Sequence, residues 1–346
     1  MSGFGLCKAA KGFTSHSPEQ VFDDNQIVDA ALEYLVEHGF PYRTLSKHDC
    51  MQKINKLANT DNEELLYSVM GYDVADSYHP HRFEGRYHKS KYSPVEAFGL
   101  NKDWVRKCLE RSLKYDKVIR LTTLPGFHRS SVGIVKVCSN FRPGFALLQY
   151  RKFCEKGAVV LDTSTGYGGR LVGWMASECG GYIGVDPNTK VYEGNLRMAH
   201  DFGRSNDVEL HCCPAEDLEH DKVSGRCDFA FTSPPYFGVE VYSNQETQSC
   251  HRWQGAIEWR NGFLLPMMRL QYAALKPGCM SCVNIADVKF KGKVMPLVKW
   301  CIQAGQKSGF EFEGQDTYHL RRHFGSGGEK NKYAARTEAV LKFRKV

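Results

Sequence analysis

The sequence predicts an α/β protein in which a doubly wound, mostly parallel sheet follows an N-terminal helical domain. From about residue 145, short apolar runs alternate with stretches of helical periodicity, which is the pattern of βαβ units. Before about residue 130 the periodicity is helical, and no strand-like alternation is found. The chain has 346 residues, of which 42% are hydrophobic, enough for two ordinary globular domains. We therefore predict a helical domain over residues 1–125 and a sheet domain over residues 126–346.

Four helices are predicted in the N-terminal domain. The first covers residues 26–37, where apolar residues recur at helical spacing. N-cap residues predict the starts of the other three: Ser46, Thr60 (with Glu63 as a capping box) and Asn101. Residues 72–100 are rich in Tyr, His, Gly and Pro, and we expect an ordered loop region there.

The second domain contains six predicted strands. Five are short apolar runs separated by helical stretches, which favours a parallel sheet. The last run could pair as a final edge strand. The six runs are AVVLD (158–162), YIGVD (182–186), VELHC (208–212), CDFAFT (227–232), MSCVNIA (280–286) and EAVLKFRKV (338–346).

Charge is distributed unevenly along the chain. Residues 1–78 contain 6 Lys+Arg and 12 Asp+Glu, whereas residues 79–125 contain 11 and 5. The whole chain has a formal charge of +7. Residues 126–346 contain 29 Lys+Arg and 22 Asp+Glu, so the whole basic excess follows residue 78. Such asymmetry points to nucleic acid, and a solvated lysine surface is the equally weighted alternative.

Several classes of protein are excluded or disfavoured. No apolar run approaches the ~20 residues that cross a bilayer, and the N-terminus has no apolar core of signal-peptide length. We therefore expect a cytoplasmic protein without a membrane partner. The 13 cysteines are odd in number and scattered, which is not a disulfide framework. We predict no metal, because neither the Cys279–Cys282 CxxC nor His79 and His81 has further ligands at zinc spacing.

The first candidate site is the glycine-rich segment DTSTGYGGR (162–170) that follows the AVVLD strand. Glycines at a strand's carboxyl end let a ligand approach the backbone. The dinucleotide fingerprint GxGxxG is not met, because Leu171 stands where the third glycine belongs. A strand ending in D-x-x-x-G-x-G instead suits S-adenosylmethionine, and a tight strand–helix turn is the alternative. The candidate cofactor-binding residues are Asp162, Ser164, Gly166, Gly168 and Gly169.

Acidic residues end the next two strands. A carboxylate at Asp186 can accept hydrogen bonds from both ribose hydroxyls of a nucleoside cofactor, although a helix N-cap is a common alternative. Glu216 and Asp217 follow the third strand, where an acidic side chain could meet an adenine amino group. Asp217 is slightly preferred.

The most specific signal is the turn Ser233-Pro234-Pro235-Tyr236 at the end of the CDFAFT strand. Two prolines stiffen the turn and fix the preceding carbonyl. The Ser233 hydroxyl and the Pro234 carbonyl can accept both N–H bonds of an exocyclic amino group, while the Tyr236 ring stacks on the base. Catalysis of this kind consists mainly of positioning and electrostatics. A simple proline turn is the alternative.

With these segments in this order, residues 138–346 resemble the DNA amino-methyltransferases that modify adenine N6 or cytosine N4. The stretch TSPPYFGVEVYS is similar to DNA methylases of phages and bacteria. The resemblance implies a seven-stranded, mostly parallel, Rossmann-like methyltransferase sheet, S-adenosyl-L-methionine as cofactor, and methylation of a flipped DNA base. It also implies that Phe141 and Arg142, in the SNFRPG segment (139–144), belong to the cofactor site, with Phe141 near the methionine moiety.

The sequence departs from this family at two points. The catalytic turn begins with Ser233, where adenine enzymes more often have Asp or Asn, so cytosine N4 is slightly favoured. No sizeable insertion provides a target-recognition domain. Base recognition would then come from the N-terminal region, from a partner, or from the 237–262 loop, where Glu240 and Tyr242 could line the pocket and the polar stretch 242–249 could address base edges.

Two basic stretches are candidates for DNA contact. The first mixes cations with tyrosines, which suits phosphate binding and stacking, and the second flanks a glycine-rich segment. Solvated surface loops are the alternative for both. The candidate residues are Arg82, Arg86, Lys89, Lys91, Arg321 and Arg322.

Two other functions remain open, and a third is disfavoured. The first is methylation of an RNA base or a protein amide nitrogen, and the second is a non-catalytic DNA-binding subunit of a modification or defence complex. A nicotinamide oxidoreductase is disfavoured by Leu171 and by the catalytic turn. The acidic first 78 residues could meet the rest of the protein, a second copy or a partner subunit.

Overall fold

The computed structural model describes residues 23–116, 118–119, 135–320 and 337–346, together with the backbone of 13–14. The chain forms two compact units. The smaller contains Met1–Thr44 and Pro80–Cys138, and the larger contains Leu45–His79 and Ser139–Val346. No helix in the described part of the chain is long and apolar enough to cross a membrane.

The smaller unit is mainly helical, as the sequence predicts. Its core is formed by the first and last long helices, whose apolar faces include Ile27, Leu35, Trp104 and Leu109. Asn101 caps the last helix by accepting from the Trp104 amide at 2.9 Å. The helices are Asp24–His38, Pro80–Phe83 (3₁₀), Pro94–Leu100 and Lys102–Asp116, and the short strands are Phe13–Thr14, Arg86–Tyr87 and Val118–Ile119.

The helices of residues 45–79 belong to the larger unit, so the structural division differs from a single boundary at residue 125. Apolar packing explains this division, because Leu57, Leu65 and Val74 are fully buried in the same core cluster as residues of the sheet. The helices are Lys47–Ala58, Asn62–Leu65 and Tyr72–Tyr78. Part of the loop region predicted over 72–100 is therefore helical.

A seven-stranded sheet forms the centre of the larger unit. In chain order the strands are β1 (Val159–Asp162), β2 (Gly181–Val185), β3 (Val208–His211), β4 (Cys227–Thr232), β5 (Leu275–Ile285), β6 (Phe310–His319) and β7 (Thr337–Lys345). Their spatial order is β6-β7-β5-β4-β1-β2-β3. Five neighbouring strands are parallel, and β7 is antiparallel to both β5 and β6. The predicted seven-stranded, mostly parallel sheet is confirmed.

One strand prediction was wrong. The last apolar run, which we expected at an edge, lies inside the sheet as β7, and β6 forms the edge next to it. The sequence of β6, FEFEGQDTYH, alternates between exposed and half-buried residues over most of its length, so it lacks the apolar run that marks the interior strands.

Helices cover both faces of the sheet. Neighbouring residues of one strand enter different core clusters: Val160 joins the cluster of helix Pro143–Phe153, and Leu161 joins that of helix Leu265–Ala274. This is the period-2 alternation of a strand buried on two sides. The other helices are Gly169–Met175, Thr189–Asp201, Ser249–Arg252, Ala256–Trp259 and Leu297–Lys307, with 3₁₀ turns at Ala215–Asp217 and His220–Lys222 and a π turn at Arg260–Leu264.

Two short strands, Val288–Phe290 and Lys293–Met295, form a hairpin after β5, and Glu240–Val241 follows β4. Because β1 to β5 are parallel, their carboxyl ends meet at one edge of the sheet. The antiparallel β7 begins at that same edge. This topology brings together residues that lie far apart in the sequence.

Candidate active site

Asp162 lies at the carboxyl end of β1 and is fully buried. Arg170 donates to both of its carboxylate oxygens, at 2.8 and 3.2 Å, and the Tyr182 hydroxyl donates at 2.7 Å. The Thr232 hydroxyl, from the end of β4, donates at 3.1 Å. The carboxylate is thus surrounded by protein donors. The structure places it as an internal anchor of the glycine-rich segment, rather than facing a ligand as we expected.

The glycines of this segment have different surroundings. Gly166 has a φ of 54°. If residue 166 carried a Cβ, the nearest atom would be the Ser164 carbonyl oxygen at 3.8 Å. A Cβ at Gly168 would instead lie 2.8 Å from the His79 ring, and one at Gly169 would collide with the Phe141 carbonyl. Gly168 and Gly169 therefore permit close packing, whereas Gly166 borders open space.

Asp186 follows β2 and is held by the backbone. The Gly166 amide donates to one carboxylate oxygen at 2.9 Å, and the Asn188 amide donates to the other at 3.0 Å. Burial raises the pKa of Asp186 to about 6. The same carboxylate thus fixes the glycine-rich segment and stands at the edge where the strands end.

Glu216 and Asp217 both bind residues that follow the Ser233-Pro234-Pro235-Tyr236 turn. Glu216 is almost fully buried and accepts from the Trp253 indole at 2.9 Å and from Arg252 at 3.1 Å. Arg252 also donates to both oxygens of Asp217, at 2.7 and 3.1 Å. Desolvation by burial raises the pKa of Glu216. These acids anchor the 242–253 segment at the end of β3.

The same 242–253 segment is fixed at two further points. Gln245 donates to the Thr189 hydroxyl at 3.0 Å, just after Asp186. The Tyr242 ring lies 6.0 Å from the Tyr167 ring of the glycine-rich segment. The segment therefore runs from the Ser233-Pro234-Pro235-Tyr236 turn across the ends of β1, β2 and β3.

Phe141 and Arg142 pack against the end of β6. The Phe141 ring stacks on Tyr318 with centroids 5.0 Å apart. Arg142 is 2% exposed, and its Nε donates to the Tyr318 hydroxyl at 3.0 Å. Its Nη2 donates to the His319 carbonyl, and its Nη1 is buried without a partner among the described residues.

A buried polar network supports the Ser233-Pro234-Pro235-Tyr236 turn. The Tyr236 hydroxyl donates to Glu338 at 2.8 Å, and the Asn284 amide donates to Glu338 at 2.7 Å. The same amide nitrogen lies 2.9 Å from the Tyr236 hydroxyl and 3.3 Å from the Ser233 hydroxyl. Desolvation raises the pKa of Glu338, and burial raises that of Tyr236 well above its usual value. The Tyr236 side chain is therefore held by its hydroxyl.

Sequence reasoning did not find Asn284 or Glu338. Asn284 lies near the end of the mostly apolar run of β5, and Glu338 is the second residue of β7. They meet at Ser233 because β7 is antiparallel to β5, with Ala339 paired to Ile285. The available signal was a buried amide side chain in a mostly apolar run that also contains Ser281.

Glu240, which we expected near the pocket, is 7% exposed. Its carboxylate accepts from the backbone amide and the hydroxyl of Ser139, both at 3.0 Å. It therefore connects the residues after the Ser233-Pro234-Pro235-Tyr236 turn to the SNFRPG segment.

The candidate DNA-contact residues of the smaller unit differ in exposure. Arg82 is 7% exposed and donates to the Cys138 carbonyl at 2.8 Å, so its guanidinium is part of the interior. Arg86 is half-buried, and Lys89 and Lys91 are exposed. Arg321 and Arg322 lie outside the described residues. No group of three or more His, Cys, Asp or Glu side chains in the described ranges is arranged to hold a metal ion.

No protein-family model and no curated protein matches the chain. Among solved structures, it is similar to geranyl diphosphate C-methyltransferase from Streptomyces coelicolor (TM-score 0.39, 12% identity, 59% of this chain and 78% of that chain). It is also similar to TrmN from Thermus thermophilus (TM-score 0.39, 15% identity, 59% and 49%) and to the cyclase SpnF (0.42, 16%, 59% and 81%). All of these TM-scores lie below 0.5, so they carry no argument about activity.

Proposed function

We propose that the protein is an S-adenosylmethionine-dependent DNA methyltransferase that modifies an exocyclic amino group, with cytosine N4 slightly favoured over adenine N6. The observation that carries this proposal is the hydrogen bond between Thr232 and Asp162, at 3.1 Å. It joins the residue just before the amine-binding turn to the strand end that opens the glycine-rich segment. The two candidate half-sites are therefore neighbours at one edge of the sheet.

The residues at this edge fit the cofactor. Gly166 borders open space, and the Asp186 carboxylate, fixed by two amides, can accept from ribose hydroxyls. The 242–253 segment lies across the same strand ends and would cover the adenosine. S-adenosylmethionine, when bound, supplies a methyl group on a positively charged sulfur.

The catalytic turn orients the amine in this proposal. The Ser233 hydroxyl oxygen has two lone pairs, of which Asn284 approaches one from 3.3 Å. The other lone pair and the Pro234 carbonyl accept the two N–H bonds of the substrate amino group. This arrangement turns the nitrogen lone pair out of conjugation with the base and toward the methyl group.

Glu338 contributes electrostatically. Its hydrogen-bond donors in the network are the neutral Asn284 and Tyr236 side chains, so its charge is not neutralised by a direct cation contact there. A nitrogen that receives a methyl group becomes cationic before it releases a proton to water. A fixed negative charge in a buried site stabilises that cation.

Exposed lysines beside half-buried tyrosines of the smaller unit support a DNA substrate. The Lys136 ammonium lies 3.6 Å from the Tyr87 ring centroid, and that of Lys91 lies 5.0 Å from the Tyr92 ring. Such combinations suit phosphate contact and stacking on bases.

Methylome sequencing of a host that expresses the protein tests this proposal. We expect an N4-methylcytosine or N6-methyladenine mark in a fixed sequence context, which disappears with Ser233→Ala. Ser224→Ala is the matched control, because Ser224 is an exposed serine near the opposite end of β4. Transfer of tritiated methyl to RNA or protein, but not to DNA, would overturn the DNA substrate.

A further inference from the structure

The hairpin formed by Val288–Phe290 and Lys293–Met295 has an unusual turn. Phe290 pairs with Lys293, which leaves Lys291 and Gly292 as the two turn residues. Their φ angles are 47° and 81°. Positive φ at both central residues defines a type I′ turn, where Asn, Asp or Gly is normally found. A lysine there adopts a left-handed backbone that β-carbon sterics disfavour.

The hairpin is anchored on the catalytic turn. The Phe290 ring lies 5.0 Å from the ring of Phe237, the residue after Tyr236. The same ring fills the space beside Gly238, where a Cβ would collide with it. Phe290 and its neighbours Val288 and Met295 pack against the core cluster of the larger unit. The position of the hairpin tip is therefore fixed relative to the amine-binding turn.

The hairpin carries basic residues at its tip and on both of its faces. Lys289, Lys291 and Lys293 are all exposed, and no described carboxylate forms an ion pair with any of them. Some other lysines of the same unit are paired: Lys152 lies 2.6 Å from Asp316, and Lys276 lies 2.6 Å from Asp228. Three uncompensated positive charges thus stand beside the proposed entry point of the base.

The turn itself does not require a lysine. Glycine or asparagine at residue 291 would form the same type I′ turn with less strain. Strained backbone positions occur preferentially where a ligand is held. The strain, the missing counter-charges and the anchoring beside Tyr236 all lead to the same inference.

We propose that the 288–295 hairpin binds the sugar–phosphate backbone of DNA next to the base that Ser233 receives, through Lys289, Lys291 and Lys293. This inference rests on the proposed function and adds a phosphate-binding surface that the sequence did not indicate. Lysine ammonium groups bind phosphates as point charges and release condensed counterions. Each phosphate contact therefore adds about 0.9 to the slope of log K against log salt.

The test compares two triple variants of the full chain. The first replaces Lys289, Lys291 and Lys293 with glutamine. The control replaces three exposed lysines at the opposite edge of the sheet, Lys156, Lys222 and Lys307, with glutamine. Fluorescence anisotropy measures binding to a labelled DNA duplex and to RNA of equal length, between roughly 50 and 200 mM salt.

We expect the hairpin variant to lower the DNA salt slope by about 2 to 3 and to weaken binding by about tenfold or more, with the control unchanged. The affinity for S-adenosylmethionine stays at the wild-type value. A hairpin variant with the wild-type slope and affinity overturns the proposal. A slope that changes with RNA but not with DNA also overturns the proposal, as does a wild-type chain that binds neither nucleic acid.

A single variant separates binding from stability. Lys291→Gly relieves the left-handed strain, so the protein becomes more resistant to urea while its DNA salt slope falls by about 1. A purely structural hairpin would show the stabilisation with no change in slope. These binding assays need no methyl transfer. If the hairpin variants lose DNA binding but the wild-type protein methylates no DNA, the proposed function is refuted and the hairpin proposal stands.

Discussion

Arg170 donates from Nε and Nη2 to the two carboxylate oxygens of Asp162, at 2.8 and 3.2 Å. The two side chains are 4% and 0% exposed. Arg170 also donates to the Ser164 carbonyl, so one guanidinium fastens both the strand end and the loop that follows it. The backbone at Gly166 is therefore held in place before any ligand binds.

Loss of this ion pair should destabilise the larger unit strongly. Arg170→Met leaves the Asp162 carboxylate buried without its cation, which costs about 3–5 kcal/mol. Arg226→Met is the control, because its pair with Glu209 has side chains 45% and 40% exposed and is worth about 0–1 kcal/mol. Urea unfolding followed by circular dichroism measures both. Equal losses for the two variants would contradict a structural role for the buried pair.

Gly166 should matter for the cofactor beyond its backbone conformation. Gly166→Ala and Gly203→Ala both place an alanine at positive φ, 54° and 68°, at a cost of roughly 1–2 kcal/mol each. Only the first adds a methyl group to the space in front of the glycine-rich segment. Calorimetric titration with S-adenosylmethionine should show weaker binding for Gly166→Ala alone. Similar affinities in both variants would place the cofactor elsewhere.

Cofactor affinity should depend on pH through Asp186. The ionised carboxylate accepts two hydroxyl hydrogen bonds, and burial raises its pKa to about 6. Affinity should therefore fall by up to about tenfold per pH unit below 6 and be constant above it. Because the pKa of Asp186 is raised in the folded protein, the stability it contributes declines as pH rises through 6. In Asp186→Asn both dependences should vanish, and a persistent inflection would exclude this residue.

Turnover should depend on the charge of Glu338. Glu338→Gln keeps the shape but removes the charge, so kcat should fall about 10- to 100-fold with an unchanged KM for S-adenosylmethionine. Desolvation raises the pKa of Glu338, and nearby Glu240 raises it further while Arg142 opposes this. The wild-type rate should therefore rise with pH as Glu338 ionises, and the variant should lose this acid limb.

The control for Glu338 is Glu311→Gln, an exposed glutamate on β6. A Glu338→Gln enzyme with the wild-type pH profile would show that Glu338 has a structural role and no electrostatic role in turnover. A parallel loss of stability and rate, restored together at low temperature, would lead to the same conclusion.

Local sequence patterns predicted the interior strands and both motifs, because apolar runs and glycine or proline turns act over a few residues. The structure adds what depends on distant pairing. Glu338 reaches Tyr236 only through the antiparallel placement of β7, 102 residues along the chain. Strand β6 was missed because its residues alternate between exposed and half-buried, without an apolar run. The roles of Asp162, Glu216 and Asp217 changed because their partners, Arg170, Trp253 and Arg252, could not be assigned from spacing.

The most direct test is methyl transfer by the purified protein. DNA is incubated with tritiated S-adenosylmethionine and digested to nucleosides. The nucleosides are then separated by chromatography beside standards of N4-methyl-2′-deoxycytidine and N6-methyl-2′-deoxyadenosine. We predict label in one of these two nucleosides with the wild-type chain and with Ser224→Ala, and none with Ser233→Ala. Label in a carbon-methylated base, or equal transfer by Ser233→Ala, would contradict amine methylation at the Ser233-Pro234-Pro235-Tyr236 turn.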